Sequence, residues 1–424
     1  MDKRDMIQVA RGCVDIFGDD IVIWQHIENI LKQTCENFCV DEIRTPVFEY
    51  TEVFKREVDD TSDMVEKEMY TFYDKGLRSI TLKPEGTASV VRSFCENNFA
   101  NEGLPKKVYY ITSCFRYENP AAGRQRQFHQ FGIEYFGADT VSGEAEIIAL
   151  VTLVFKNLGI EDIELHINSL GDKECRKNYN DILKNFLIEN EEHLCPICKE
   201  RMVKNPLRVL DCKEKSCQNI FENAPKVLDT LGEECKKDFD DLLKKLDMFN
   251  IKYVIDKSLV RGLDYYNNTV FEFVSTNSAT GGTICGGGRY DYLVEEFGGP
   301  KTKCVGFGMG LERLVLLYKS IENTVTKPLP IIYIGSIGEL GQSRSEEITF
   351  NMRSQGFKVE CNISKKSVKA QMKYADKINC THSLILGDNE VMENILPIRN
   401  METGETTNVI YDEDYIDNMI NIFF

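Results

Sequence analysis

The stretch CFRYENPAAGRQRQFHQFGIEYFG, from Cys114 to Gly137, gathers side chains of complementary chemistry. Arg116, Arg124 and Arg126 carry planar guanidinium forks, which grip phosphate oxygens through paired N–H donors that a lysine does not reproduce. Phe128 offers a ring face for stacking, and Glu118, Gln130 and Glu134 add groups able to fix a ligand by hydrogen bonds. A phosphate joined to a base is the ligand that this mixture fits. Gln130, Gly132 and Glu134 are two residues apart, so in a strand they share a face and converge on one small polar group. The plain alternative is a surface hairpin laced with ion pairs.

Such side chains need rigid supports. VYYITSC before the stretch and FGIEYFG within it alternate in character, which predicts two antiparallel strands joined by a polar loop. Upstream, the apolar spacing of Ile21 to Phe38 predicts a helix, and Glu42 to Phe54 reads as a strand interrupted by Pro46. Tyr70 to Asp74 and Ser79 to Leu82 read as short strands, after which Pro84 marks the entry to a helix beginning at Thr87. Glu144 to Leu158 is a buried helix by pattern, and Glu164 to Asp172 a strand ending in a turn. Leu259 to Phe273 reads as a second hairpin turning at Asn267-Asn268, with Arg261 beside a glycine that permits close approach of a ligand. The glycines of Gly281 to Leu293 fit neither a Walker loop nor a dinucleotide fingerprint, and are read as strand backbone lying close to a ligand. Cys304 to Tyr318 reads as a strand, a glycine turn and a helix starting near Leu311.

At 424 residues the chain has room for two or three domains. Its net charge of −17 argues against a protein that coats nucleic acid without selection, so any nucleic-acid contact must come from local basic patches. No apolar run reaches the roughly 20 residues of a membrane span, and the first residues lack the apolar core of a signal peptide, which predicts a cytoplasmic protein with no membrane partner. Fifteen cysteines agree with that, since most, such as Cys114, Cys285 and Cys304, stand singly in apolar surroundings. Residues 173 to 252 turn rich in Lys, Glu and Asp with helical spacing, which predicts a mainly helical insertion. Within it Cys195, Cys198, Cys212 and Cys217 either bind a structural Zn²⁺ or stand as free thiols. After a linker at Glu322 to Pro330, strands and helices alternate in a compact α/β domain. Its Lys366, Lys369, Lys373 and Lys377 form a stripe that either tracks a nucleic-acid backbone or is a solvated face.

FRYEN followed by GRQRQFHQFGIE resembles motif 2 of class II aminoacyl-tRNA synthetases, in the form found in histidyl-tRNA synthetases. LVRGLDYYNNTVFEF is similar to a segment characteristic of the histidine enzymes, and the likeness extends over essentially the whole chain. The resemblance implies an α+β fold: an antiparallel class II sheet flanked by helices, a helical insertion and a C-terminal α/β anticodon-binding domain. It implies a division into a catalytic first part (1–172), the insertion (173–252), a catalytic second part (253–325) and the anticodon-binding domain (328–424). Glu42 to Phe54 with the preceding helix resembles motif 1, which implies a homodimer. The implied substrates are ATP with Mg²⁺, L-histidine and histidine tRNA, with a regulatory, non-catalytic paralogue as the alternative. By the same resemblance Arg116 and Arg261 meet the α-phosphate, Arg313 the γ-phosphate, Glu118 and Phe128 the adenine, and Arg124 also lies in the ATP site. Glu85, Thr87, Gln130, Glu134, Tyr265 and Tyr266 are implied to hold histidine. Lys83 stands where the family usually has arginine, and Asn119-Pro120-Ala121 replaces the family's common Arg-Pro-Gln.

Overall fold

The computed structural model describes residues 7–55, 67–204, 206–212, 214–221, 223–261, 263–277, 281–321, 325–364 and 366–424. Gly262, and residues 322–324 of the linker, therefore lie outside the described residues. The chain divides into two compact units, Met1–Val325 and Thr326–Phe424.

In the first unit the strands are β1 (Asp41–Glu42), β2 (Phe48–Tyr50), β3 (Tyr70–Tyr73), β4 (Ser79–Leu82), β5 (Lys106–Phe115), β6 (Gln127–Phe136), β7 (Ile163–Ser169), β8 (Val254–Ile255), β9 (Asn267–Ser275), β10 (Gly282–Arg289) and β11 (Cys304–Gly310). Its helices are α1 (Asp19–Asn37), α2 (Thr87–Glu96), α3 (Ser142–Asn157), α4 (Lys173–Glu189), α5 (Pro196–Lys204), α6 (Lys215–Phe221), α7 (Glu233–Met248), α8 (Leu293–Glu296) and α9 (Leu311–Ser320). Eight strands form the main sheet in the order β1-β5-β6-β11-β10-β9-β7-β8, antiparallel except where β1 meets β5 and β7 meets β8.

Alternation gives that sheet two unlike faces. Phe131, Ile133 and Tyr135 of β6, with Phe271, Phe273, Val305, Phe307 and Met309, point into the core, where Trp24, Ile27 and Leu31 of α1 and Ile147, Leu150 and Val154 of α3 cover them. The other face carries Phe128, Gln130, Gly132 and Glu134, and the register sets Gly132 opposite Gly308 and Gly308 opposite Gly286. The expected hairpin around motif 2 is present, with Lys106 paired to Phe136 and Phe115 to Gln127.

Two expectations are corrected. Glu42 to Phe54 is not one interrupted strand: β1 joins the main sheet, while β2 pairs with β4 in a separate three-stranded sheet ordered β2-β4-β3. Pro46 falls between them, where its missing N–H costs neither sheet a bond. Leu259 to Phe273 is not a hairpin either. Residues 259–261 and 263–266 are irregular, and β9 begins at Asn267 with β7 on one edge and β10 on the other, so neither edge is left for a further strand.

In the small sheet the polarity is inverted. Glu49 and Thr81 are buried, Glu49 accepting from Arg92 Nη2 of α2 at 2.6 Å. Phe48, Tyr50 and Phe72 share the opposite face and are about half exposed (51%, 47% and 48%).

The described residues between Lys173 and Met248 form helices α4 to α7 with short 3₁₀ turns between them. Tyr179, Leu183, Leu187, Val209, Phe221 and Val227 make a small core of their own, whereas α7 buries Phe239, Leu242 and Leu246 in the main core. The second unit has a five-stranded sheet formed by Ile332–Ser336, Val359–Cys361, His382–Leu386, Ile395–Asn400 and Thr406–Ile410, around Ile334, Leu384, Leu386 and Ile398. On its helix Val368–Lys377, Lys369, Lys373 and Lys377 are exposed, as is Lys366 just before it.

Candidate active site

Glu134 sits at the centre of the polar face of the sheet and is completely buried. Three hydroxyls donate to it: Thr87 Oγ1 at 2.7 Å, Tyr110 OH at 3.2 Å and Tyr290 OH at 2.5 Å. Burial nevertheless dominates, and pushes its carboxyl up to about 8, with the hydroxyls and the nearby Glu85 as smaller influences. Glu85 is buried just before the Gly86 cap of α2 and accepts from the backbone N–H groups of Thr87 (2.7 Å) and Ala88 (2.9 Å), so its carboxylate satisfies two free donors of the first turn. Gln130 Oε1 accepts from Gly86 N at 2.8 Å, which leaves its amide NH₂ facing across the sheet. Tyr265 and Tyr266 lie 4.7 Å apart between ring centroids, and Tyr265 meets Tyr290 edge-on at 5.8 Å. The six residues expected to hold histidine are thus neighbours: an acidic, hydroxyl-rich cluster with aromatic rings beside it.

A second cluster is cationic. Arg116 extends from the end of β5, donates from Nε to Pro84 O at 2.8 Å and lies 5.3 Å above the Phe128 ring. The Arg261 guanidinium pairs with Glu272 Oε1 and faces the Tyr266 ring at 5.8 Å, while its buried Nε has no acceptor among the described residues. Glu272 Oε2 accepts from Thr283 Oγ1 at 2.5 Å, and Thr283 O accepts from Arg313 Nη1 at 2.6 Å. Arg261 and Arg313 are therefore joined through one carboxylate and one threonine. Arg313 leaves the first turn of α9, where the backbone N–H groups add to its positive field. Arg124 reaches Glu118 at 3.6 Å and is largely exposed, at the loop end of the hairpin. Lys83 is fully buried and donates to Thr45 O and Thr45 Oγ1 at 3.2 and 3.1 Å.

Glycines make this layout possible. A Cβ at Gly306 would collide with the Glu134 carboxylate, one at Gly308 with the Gln130 amide and one at Gly286 with the Arg261 guanidinium. Each functional side chain lies flat over a glycine of an adjacent strand. Glu272, Tyr110, Tyr290 and Glu312 were not singled out from sequence. Glu272 has a signal in retrospect, a charge between Phe271 and Phe273 in an apolar strand. Glu312 accepts from His129 N at 2.9 Å and contacts its Nδ1 at 2.9 Å, which ties α9 to β6 across a sequence separation that no local pattern reveals.

An antiparallel sheet with this motif 2 hairpin, a strand-to-helix arginine after it and an acidic pocket beside them defines a class II aminoacyl-tRNA synthetase. The Histidyl-tRNA synthetase family model matches residues 15–314, and the Anticodon binding domain model matches 332–416. The chain is 48% identical to a histidine–tRNA ligase of Clostridium perfringens over 98% of its own length and 99% of the relative's. It is also 48% identical to one of Acetivibrio thermocellus, over 96% and 98%. A solved structure of apo histidyl-tRNA synthetase from S. aureus superposes with a TM-score of 0.81 at 36% identity, covering 99% of this chain and all of that one. The chain belongs to the histidyl-tRNA synthetase family.

Proposed function

We infer that the chain activates L-histidine with ATP, giving histidyl-adenylate and pyrophosphate, and then transfers histidine to the 3′ end of histidine tRNA. The observation that carries this reading is the identity of 48% along nearly the entire chain, catalytic and anticodon-binding parts alike. The regulatory alternative is not favoured by a match of that extent.

In the proposed mechanism Glu85 and Thr87 take the ammonium group of histidine, and Glu134, Gln130, Tyr265 and Tyr266 read its imidazole. Arg116 and Arg261 hold the α-phosphate while the histidine carboxylate attacks phosphorus. Their fixed charges offset the charge that develops there, with no reorganisation at the moment of reaction. Arg313 takes the γ-phosphate, and Glu118, Arg124 and Phe128 hold the remainder of ATP, with Phe128 stacked on adenine. Mg²⁺ bound with ATP would supply charge neutralisation for the departing pyrophosphate; hard oxygen donors suit it, and Glu272, between Arg261 and Thr283, would be the carboxylate to hold it. The lysine stripe from Lys366 to Lys377 is proposed to follow tRNA phosphates.

The four-part division at 172, 252 and 325 is part of the proposal, supported by the separate small core around Tyr179. So is a homodimer, supported by the apolar outward face of Phe48, Tyr50 and Phe72. A cytoplasmic location agrees with fifteen cysteines, none of them in a disulfide, and with the lack, among the described residues, of any helix long and apolar enough to cross a membrane.

The test is ATP–pyrophosphate exchange with each of the twenty amino acids in turn. Exchange with histidine alone is expected. Folded protein that exchanges with none, or with another amino acid, overturns the reading.

A further inference from the structure

The small core of the helical segment is an unusual one. Among the described residues between Glu191 and Thr230 the chain forms only short pieces: 3₁₀ turns at Glu191–His193, Pro206–Asp211 and Val227–Thr230, and the helices α5 and α6. A stretch of about 40 residues buries too little apolar surface to hold such pieces in place, and chains of that size usually add a disulfide or a metal. Two of the side chains at its centre, Cys198 and Cys217, are fully buried thiols.

The Sγ atoms of Cys195, Cys198, Cys212 and Cys217 all lie within 4.8 Å of one another, and Cys195 and Cys212 are 3.9 Å apart. Four sulfurs placed tetrahedrally about 2.3 Å from a zinc ion would be separated by about 3.8 Å. The backbone contributes as well: Cys195 N points at Cys217 Sγ at 3.3 Å, the kind of N–H donation that orients and stabilises a thiolate ligand. Cys195 immediately precedes α5 and Cys198 lies in its first turn; Cys212 follows the 3₁₀ turn at Pro206–Asp211 and Cys217 opens α6. The ligands therefore come from the N-terminal ends of both α5 and α6, so that one ion would tie these two helices together. A second group, Asp172, Cys175 and Cys235, brings only three ligand atoms, and its carboxylate is already engaged as the cap of α4 through Cys175 N at 2.8 Å.

We propose that Cys195, Cys198, Cys212 and Cys217 bind one Zn²⁺ as four thiolates, and that this ion holds residues 191–230 in their fold. Binding releases the four thiol protons to solvent and needs no oxidant. All four positions are taken by protein, so the ion plays no part in histidine activation, and zinc content and amino-acid exchange fail or succeed independently.

The experiment is metal analysis of the full-length chain, purified without added zinc or chelator, combined with stepwise titration by an organomercurial. The expected result is close to one zinc per chain, released in step with modification of four thiols, and cleavage by a protease within 191–230 that rises at least tenfold after release. Cys198→Ala is expected to lose the zinc, and Cys361→Ser to keep it. Zinc below about one-tenth per chain, zinc retained in Cys198→Ala, or a disulfide among these four cysteines in the freshly purified protein would overturn the proposal. Should Cys198→Ala fail to fold, the titration of the unaltered chain decides alone, because zinc that leaves without four thiols reacting is bound elsewhere.

Discussion

Glu134 shows how a residue's charge state depends on company it finds only in the fold. Its carboxyl ordinarily titrates near 4.5 but is held up at about 8 by burial. Between those values the unfolded chain gives up this proton first, so the stability that Glu134 contributes is complete below 4.5 and is lost as pH rises through 8. Glu134→Gln removes that dependence. The variant is expected to melt at the same temperature as the parent near pH 4.5 and above it near pH 8, as followed by thermal unfolding. Histidine-dependent exchange in the variant is expected to fall by at least ~10²-fold, the order for a lost buried recognition contact. A melting difference that does not change with pH would assign the raised proton to another group. Glu134 itself is legible in the sequence, because alternation with Gln130 and Gly132 fixes its face. Its donors Tyr110 and Tyr290 are not, since Tyr110 lies in β5 and Tyr290 just past the end of β10, and only the assembled sheet brings them to it.

At the scale of elements, the glycines of β10 divide into two kinds. The atoms nearest a Cβ at Gly286 all belong to the tip of the Arg261 side chain, whereas one at Gly287 meets the Gly306 carbonyl and the Phe271 ring. Gly286→Ala is therefore expected to fold normally while displacing the guanidinium, with adenylate formation slowed by ~10²-fold or more, the order for one lost transition-state donor. Gly287→Ala is expected to lose stability by about 1–3 kcal/mol through overpacking, seen in denaturant unfolding. Near-parental exchange in a folded Gly286→Ala chain would remove Arg261 from the proposed chemistry. Strands and helices with strong periods, such as α1, α3 and the motif 2 hairpin, are legible from the spacing of their apolar residues alone. The segment 259–266 is not: its tyrosines and valine have strand character, but Tyr265 and Tyr266 turn into the pocket and β9 has no free edge.

For the whole molecule, the outward face of the small sheet calls for a cover. With Phe48, Tyr50 and Phe72 half exposed and Glu49 and Thr81 buried behind them, the arrangement suits a sheet seated against another surface rather than water. Sedimentation of the unaltered protein is expected to give twice the chain mass of 48.6 kDa. Phe72→Glu is expected to give the single-chain mass, with exchange reduced at least tenfold. An unaltered protein that sediments as one chain would rule the dimer out. Nothing in the local sequence announces this inversion, because Phe48 to Tyr50 alternates as any strand does and only the docking of Glu49 on Arg92 decides which side is inward. That choice has a consequence for how the protein is made. In the proposed dimer each newly synthesised chain would carry the apolar face of Phe48, Tyr50 and Phe72 uncovered until it meets a copy of itself, so the hazard of its early life would be one of timing. Slow, crowded synthesis would then let wrong partners arrive first, and the yield of the proposed dimer would depend on how quickly two finished chains find each other.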